Sequence, residues 1–356
     1  MPRRQIVGSN LSLFAGPAPA TGTHTTSNIK ELFGVTTLSY DIAESREDIS
    51  VLGTKIPQKI SLESSAVTLD FSYYVSNFDN EKSLGLYTAG NSGAFVDLLN
   101  GTKDERNYFF MISSDGVDAI GASPLTTPCI GIGNGVINSY SFNAAVGSLP
   151  TATVSVSAID IASYLDSDTE PLPAINVNTG LIAAGTFTLP TASGTLSGRD
   201  FVLRPRDVNV NLSGLTGLFY DLSSPCVQSF DIGVDFSRTN QQCLGSFYRK
   251  DSVMADLIPL TFGVEFLAKD MIAGRLSSFD CLTGVYSATA SIRRPNCSGT
   301  GSVATTFTLR GLQFDSLNYS ADAGGDASTV TLNFVGNIGG LTDISNGLFL
   351  SGITNN

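Results

Sequence analysis

Apolar and polar residues alternate with a period of two through much of the chain. Leu38, Tyr40 and Ile42 alternate with polar neighbours, as do Val67, Leu69, Phe71, Tyr73 and Val75. The pattern returns at Val208/Val210/Leu212, Phe230/Ile232/Val234/Phe236, Leu260/Phe262/Val264/Phe266 and Val330/Leu332/Phe334. Successive side chains of a strand point to opposite faces, so each stretch predicts a strand with one buried face. Clusters of Gly, Asn, Asp and Pro predict turns between them, as at Asn77–Asn80 and Ala323–Asp326. Helical patterns are few and short: Ile29–Phe33, Gly93–Leu99 and Tyr248–Leu257. An all-β chain with one or two short helices is expected.

The strand pattern repeats. The first copy runs Val35-Thr-Thr-Leu-Ser-Tyr40-Asp41-Ile42, then Arg46, then Leu52-Gly53. The second runs Val227-Gln-Ser-Phe230-Asp231-Ile232, then Arg238, then Leu244-Gly245. Six positions separate Arg46 from Leu52, and six separate Arg238 from Leu244. An alternating strand follows each Leu-Gly, at Val67–Phe71 and at Leu260–Val264, and each copy closes on a strand led by glycine, Gly147 to Val156 or Gly325 to Leu332. Three matched blocks in one order read as a duplication, the signal sought before any fold is assigned. Asp166–Pro173 is acidic and proline-rich, the composition of an exposed linker or turn. The expected organisation is an N-terminal arm plus first module over residues 1–165, and a linker plus second module over residues 166–356.

Composition narrows the functional classes. Length, at 356 residues, suits two ordinary domains, and a hydrophobic share of 42% is enough to build cores. Charged residues are 15%, against about 25% in an average soluble protein. Such a surface suits a protein covered largely by copies of itself, and it also suits a secreted adhesin. A net charge of −12 argues against tight nucleic-acid binding, which needs Lys and Arg to neutralise phosphates. It does not forbid a polyanion from passing, since a like-charged wall does not hold it. No apolar run approaches the roughly 20 residues of a membrane span. Arg3 and Arg4 precede a semi-apolar stretch, but Asn10, Ser12, Gly16 and Pro17 interrupt it, which makes a poor signal-peptide core. The five cysteines (129, 226, 243, 281 and 297) are odd in number and share no metal-like spacing, so free thiols in a reducing compartment are expected.

Several of these blocks resemble the major tail tube proteins of long-tailed bacteriophages. The similar features are the Pro2-Arg3-Arg4-Gln5 arm leading to Ser12-Leu13-Phe14, and Arg46 with Leu52-Gly53. Asp70-Phe71-Ser72-Tyr73-Tyr74 and Asn80-Glu81 with Leu84-Gly85-Leu86 look like the family's strand and the turn after it. Leu203-Arg204-Pro205-Arg206-Asp207-Val208, Gln228-Ser229-Phe230 and Gly347-Leu348-Phe349-Leu350-Ser351-Gly352 are similar too. The resemblance implies two tandem β-sandwich or barrel-like modules with flanking helices, whose sheets join edge to edge between neighbours. It implies a virion protein, made in the host cytoplasm, that forms stacked rings around a channel for DNA ejection. Six modules around a lumen imply a trimeric ring of pseudo-sixfold symmetry. The implied partners are further copies of the chain, a tape-measure protein, and tail terminator and baseplate proteins. DNA would cross the lumen without tight binding.

No catalytic, cofactor or metal constellation emerges. The single histidine, His24, stands in a Thr- and Gly-rich arm with no Cys or acid at ligand spacing, so a His-dependent triad has no second candidate. Gly131-Ile-Gly-Asn-Gly135 lacks a third glycine at the offset of a phosphate loop, no clear helix follows, and it reads as a β-turn. Asp166-Ser167-Asp168-Thr169-Glu170 opens like a calcium loop but lacks the later Gly and the bidentate Glu, so a solvated linker is expected. A non-enzyme without cofactor follows. Arg46 and Arg238, at matched positions of the repeat, are candidates for ion pairs within or between modules, with an exposed salt bridge as the plainer alternative. The other readings are a receptor- or carbohydrate-binding β-sandwich of adhesin or fibre type, which the absence of Trp disfavours, and a tail sheath or capsid decoration protein.

Overall fold

The alternating segments form strands, and fifteen strands join one continuously hydrogen-bonded sheet in the computed structural model. It describes residues 11–18, 23–24, 27–44, 46–50, 52–53, 55, 58–61, 66–88, 93–113, 117–122, 127–165, 170–193, 208–213, 226–268, 285–293, 302–321 and 328–352. In the first half the sheet strands are β1 (Leu11–Pro17), β2 (Lys30–Leu32), β3 (Val35–Ala43), β4 (Ala66–Tyr74), β5 (Glu105–Ile112), β6 (Cys129–Ala145), β7 (Thr151–Ala158) and β8 (Asp160–Tyr164). In the second half they are β9 (Val208–Ser213), β10 (Val227–Asp235), β11 (Ile258–Leu267), β12 (Tyr286–Arg293), β13 (Val303–Ser320), β14 (Thr329–Ile338) and β15 (Gly347–Gly352). Among the described residues there are two short helices, α1 (Asp79–Leu84) and α2 (Val96–Leu99). The fold is all-β.

The two halves pair their strands in the same order. In the first the neighbours run β3-β4-β7-β6-β5-β1, and in the second β10-β11-β14-β13-β12-β9. β8 pairs with the start of β6 as β15 pairs with the start of β13. Irregularities also coincide. Register slips between Val35 and Thr37 on β3 and between Val227 and Ser229 on β10. Asn138 on β6 and Asp315 on β13 are each skipped by the partner strand. A bulge redirects its strand, so repeated bulges mean repeated curvature. Small hairpins also match: Arg46–Ile49 pairs with Gln58–Ser61, and Arg238–Gln241 with Asp251–Met254.

Burial follows the alternation. Val67, Leu69, Phe71 and Tyr73 of β4 and Leu260, Phe262, Val264 and Phe266 of β11 belong to one large core. Phe307 of β13 lies 4.5 Å, ring to ring, from Phe142 of β6, so both halves contribute to that core. A smaller core lies on the other side of β1 and β5, where Phe14 and Phe109 meet Leu172, Phe187 and Leu189. Of the stretch expected as an exposed linker, residues 166–169 lie outside the described residues, while Leu172 and Pro173 are buried.

Several local expectations are corrected. Helix forms at Val96–Leu99, inside the Gly93–Leu99 pattern, but Ile29–Phe33 and Tyr248–Leu257 contain strands instead. Lys30–Leu32 is captured by pairing with β1, and Asp251–Met254 by its hairpin partner. Tertiary pairing overrides weak helical propensity in such short segments. The expected turn at Asn77–Asn80, with the Asn80–Leu86 block after it, is instead the start and body of α1. Asn77 Oδ1 accepts the Asp79 amide at 3.1 Å, and Gly85 ends the helix at φ +85°. Gly131–Gly135 is not a turn but part of β6, because the chain at Pro173–Ala174 crosses there: a Cβ at Gly133 would sit 2.0 Å from the Pro173 carbonyl oxygen. Ala323–Asp326, the Pro2–Gln5 arm, Leu203–Asp207, Cys281 and Cys297 lie outside the described residues.

Candidate assembly edges

The two halves meet along a strand pair. The second part of β6 runs antiparallel to β10, with Phe142 opposite Ile232, Tyr140 opposite Val234 and Ala144 opposite Phe230. All six side chains are buried, and the Phe142 and Phe230 rings are 5.5 Å apart. Beyond β10 the hairpin Arg238–Gln241/Asp251–Met254 reaches back over the first half. Its Arg238 side chain, 3% exposed, ion-pairs with Asp104 and donates from Nε to the Ile137 carbonyl at 2.9 Å. Arg249 donates to the Asn134 and Ser157 carbonyls at 2.9 and 3.3 Å. An apolar strand pair, closed by two arginines from one hairpin, therefore forms a seam inside the chain.

Among the described residues, counterparts of both seam strands have only one partner strand each: β3, at the end of the sheet, and Ser316–Ser320 of β13. The bulge alignment matches Leu38, Tyr40 and Ile42 of β3 with Phe230, Ile232 and Val234 of β10. It likewise matches Leu317 and Tyr319 of β13 with Tyr140 and Phe142 of β6. Among the described residues β3 pairs only with β4, and Ser316–Ser320 only with β14. Positions that are core in the seam are therefore open here: Tyr40 is 43% exposed, Ile42 51% and Tyr319 56%. A groove of about 510 Å³ runs beside β3, lined by Leu11, Leu13, Leu32, Val35, Leu38 and Phe110. Beside β10 a cavity of about 50 Å³ is lined by Val208, Val210, Val227 and Phe230 together with Ala144, Ala145 and Val146 of the paired strand end.

No family model and no curated protein matches the chain. Solved structures similar to it include the phage SPP1 tail tube, at 12% identity and a TM-score of 0.32, covering 46% of this chain and 81% of that one. Another is the baseplate of the anti-feeding prophage, at 15% identity and a TM-score of 0.26, covering 41% of this chain and 91% of that one.

Arg46, the counterpart of Arg238, stands at the open end and differs accordingly. Its side chain is 56% exposed and pairs with Glu44 of its own strand turn, which raises the guanidinium pKa. The Leu52-Gly53 and Leu244-Gly245 blocks sit at the two hairpin tips, both leucines fully exposed and both glycines at positive φ. His24 pairs through its backbone with Phe187. Among the described residues no cluster of three or more His, Cys, Asp or Glu side chains gathers as a metal site, and no helix is long and apolar enough to cross a membrane.

One polar feature escaped sequence reasoning. Glu81 of α1 is buried against the sheet, where one carboxyl oxygen accepts from Tyr73 at 2.8 Å and from Tyr140 at 3.3 Å. Its other oxygen has no hydrogen-bond partner among the described residues. Burial pushes the carboxyl up to about 7 despite the two hydroxyls that favour its charged form. Tyr73 lies on an alternating strand and Tyr140 on another, so only the packing of α1 brings the three together.

Proposed function

We propose that this chain is a non-enzymatic structural protein of a phage tail that assembles head to tail into rings, and that stacked rings form the tail tube through which DNA is ejected. One observation carries the reading: the sheet ends in the two complementary halves of a seam that the chain already uses internally. Unpaired strand edges template strand addition, and a protein that exposes them must either cover them or use them. A contact between two different surfaces closes into a ring when its rotation divides a full turn. Two modules per chain and six modules per ring give three chains with pseudo-sixfold symmetry. The sequence blocks similar to tail tube proteins support the same role. Further partners are a tape-measure protein in the lumen and terminator and baseplate proteins at the ends. A net charge of −12 suits a channel wall that does not hold DNA. The protein would be made in the host cytoplasm and reside in the virion tail.

Electron microscopy of the purified protein across a concentration series tests this. Rings or tubes with six similar lobes built from three chains are expected. Monomers at every concentration that bind glycans would support the adhesin class instead, and rings of six whole chains would remove the trimer.

A further inference from the structure

We infer that the ring contact is a second copy of the internal seam in a defined register: Tyr40 of one chain lies opposite Tyr319 of the next, Ile42 opposite Leu317, and Leu38 opposite Ala321. This inference rests on the ring-forming reading above and adds to it the partner surface and its alignment. The register comes from transferring the pairs Ile232 with Phe142, Val234 with Tyr140 and Phe230 with Ala144 through the bulge alignment of the two halves.

Three independent features of the open edges fit that partner. Their exposed apolar residues, Tyr40, Ile42 and Tyr319, occupy the positions that the seam buries. A slip by one residue would turn all of them to the opposite face, so the alternation excludes odd slips, and the transferred seam pairs select among the even ones. A groove of about 510 Å³ lies beside β3, whereas beside β10 Ala144, Ala145 and Val146 line a cavity of only about 50 Å³, and Ala321 holds the position of Ala144. Arg46 holds the position of Arg238, whose Nε donates to the Ile137 carbonyl. Phe314 is the counterpart of Ile137, and beside it the bulged Asp315 is an exposed acid. Docking therefore carries the Arg46 guanidinium away from Glu44 to the Phe314 carbonyl and the Asp315 carboxylate of the neighbour. The partner is a second copy of this chain, bound head to tail and not about a twofold axis, because the two edges differ.

Site-specific cross-linking tests the register. A Tyr40→Cys chain and a Tyr319→Cys chain are assembled separately and as a mixture, oxidised mildly, and run on a denaturing gel. The cross-linked dimer should be at least about ten times more abundant in the mixture than in either single variant, by the distance limits of a disulfide. Ile42→Cys mixed with Leu317→Cys should behave alike, which guards against a fault peculiar to the tyrosine pair. Tyr40→Cys mixed with Leu317→Cys reports a two-residue slip, and preferential cross-linking there overturns the register. A strong dimer from Tyr40→Cys alone would mean a twofold contact and overturn it as well. Rings in the microscope without cross-links in either matched mixture defeat this inference but leave ring assembly standing, whereas the absence of both rings and cross-links removes both.

Discussion

Arg46 and Arg238 occupy the same place in the two halves of the chain, yet their surroundings make them different groups. Arg238 is buried and satisfied by Asp104 and two backbone carbonyls. Removing Arg238 leaves the Asp104 carboxylate, whose side chain is 26% exposed, and two backbone carbonyls without their charged donor, so Arg238→Ala should lower stability by about 2 kcal/mol, read by denaturant unfolding. Arg46→Ala should leave the monomer's melting midpoint unchanged, since that side chain is solvated and its ion pair with Glu44 is screened. Equal effects of the two substitutions would contradict the contrast. Glu81 adds a pH dependence whose sign is set by burial. Its folded carboxyl titrates at about 7, above an unfolded value near 4.3, so the folded chain binds the proton more tightly. That stability is fully present below about pH 4 and is lost as pH rises to about 7, at most about 3 kcal/mol. The melting midpoint should fall between about pH 5 and pH 8, and Glu81→Gln should flatten that slope. A slope that persists in the variant would assign it to other groups.

At the scale of elements, strands and helices were not equally legible. Alternation placed the long strands because one face of each is buried against a core, as with Val67 to Tyr73 and Leu260 to Phe266. The short segments were misread wherever pairing, not local preference, decided. Ile29–Phe33 has a helix-like spacing of apolar residues, but Leu13 opposite Leu32 makes it a strand. Gly131–Gly135 has the composition of a turn, but glycine is needed there so that another part of the backbone can approach. Edge and seam strands should respond oppositely to charge. Ile42→Lys on β3 should leave the folded monomer intact by circular dichroism and melting, and should abolish rings, since an edge lysine blocks strand addition. Val234→Lys at the equivalent seam position should unfold the chain, because an unpaired ammonium would be buried at a cost of several kcal/mol. An Ile42→Lys protein that still forms normal rings would show that β3 is not the edge used.

For the whole molecule, the decisive relation is between one half and the other. In the ring contact inferred above, the rotation that sets β10 against β6 would also set β3 of a neighbouring chain against β13, so a single chain would carry the rule for its own extension. Charged residues are scarce in the chain as a whole, at 15%, which agrees with the proposed covering of its faces by further copies. By itself the sequence determined the all-β class and laid out the repeated blocks and the single histidine, because periodicity and residue inventory are local properties of the chain. It also marked Arg46 and Arg238 as equivalent. Only the tertiary structure decided that one of them is buried in a seam and the other open at an edge, that Glu81 meets two tyrosines, and that β3 and Ser316–Ser320 lack a second partner strand among the described residues. Those facts depend on which distant strands lie side by side. Alternation says that a strand has a buried face, but its hydrogen-bonding edges carry the same backbone whatever the side chains, so which edge is free is written only in the packing.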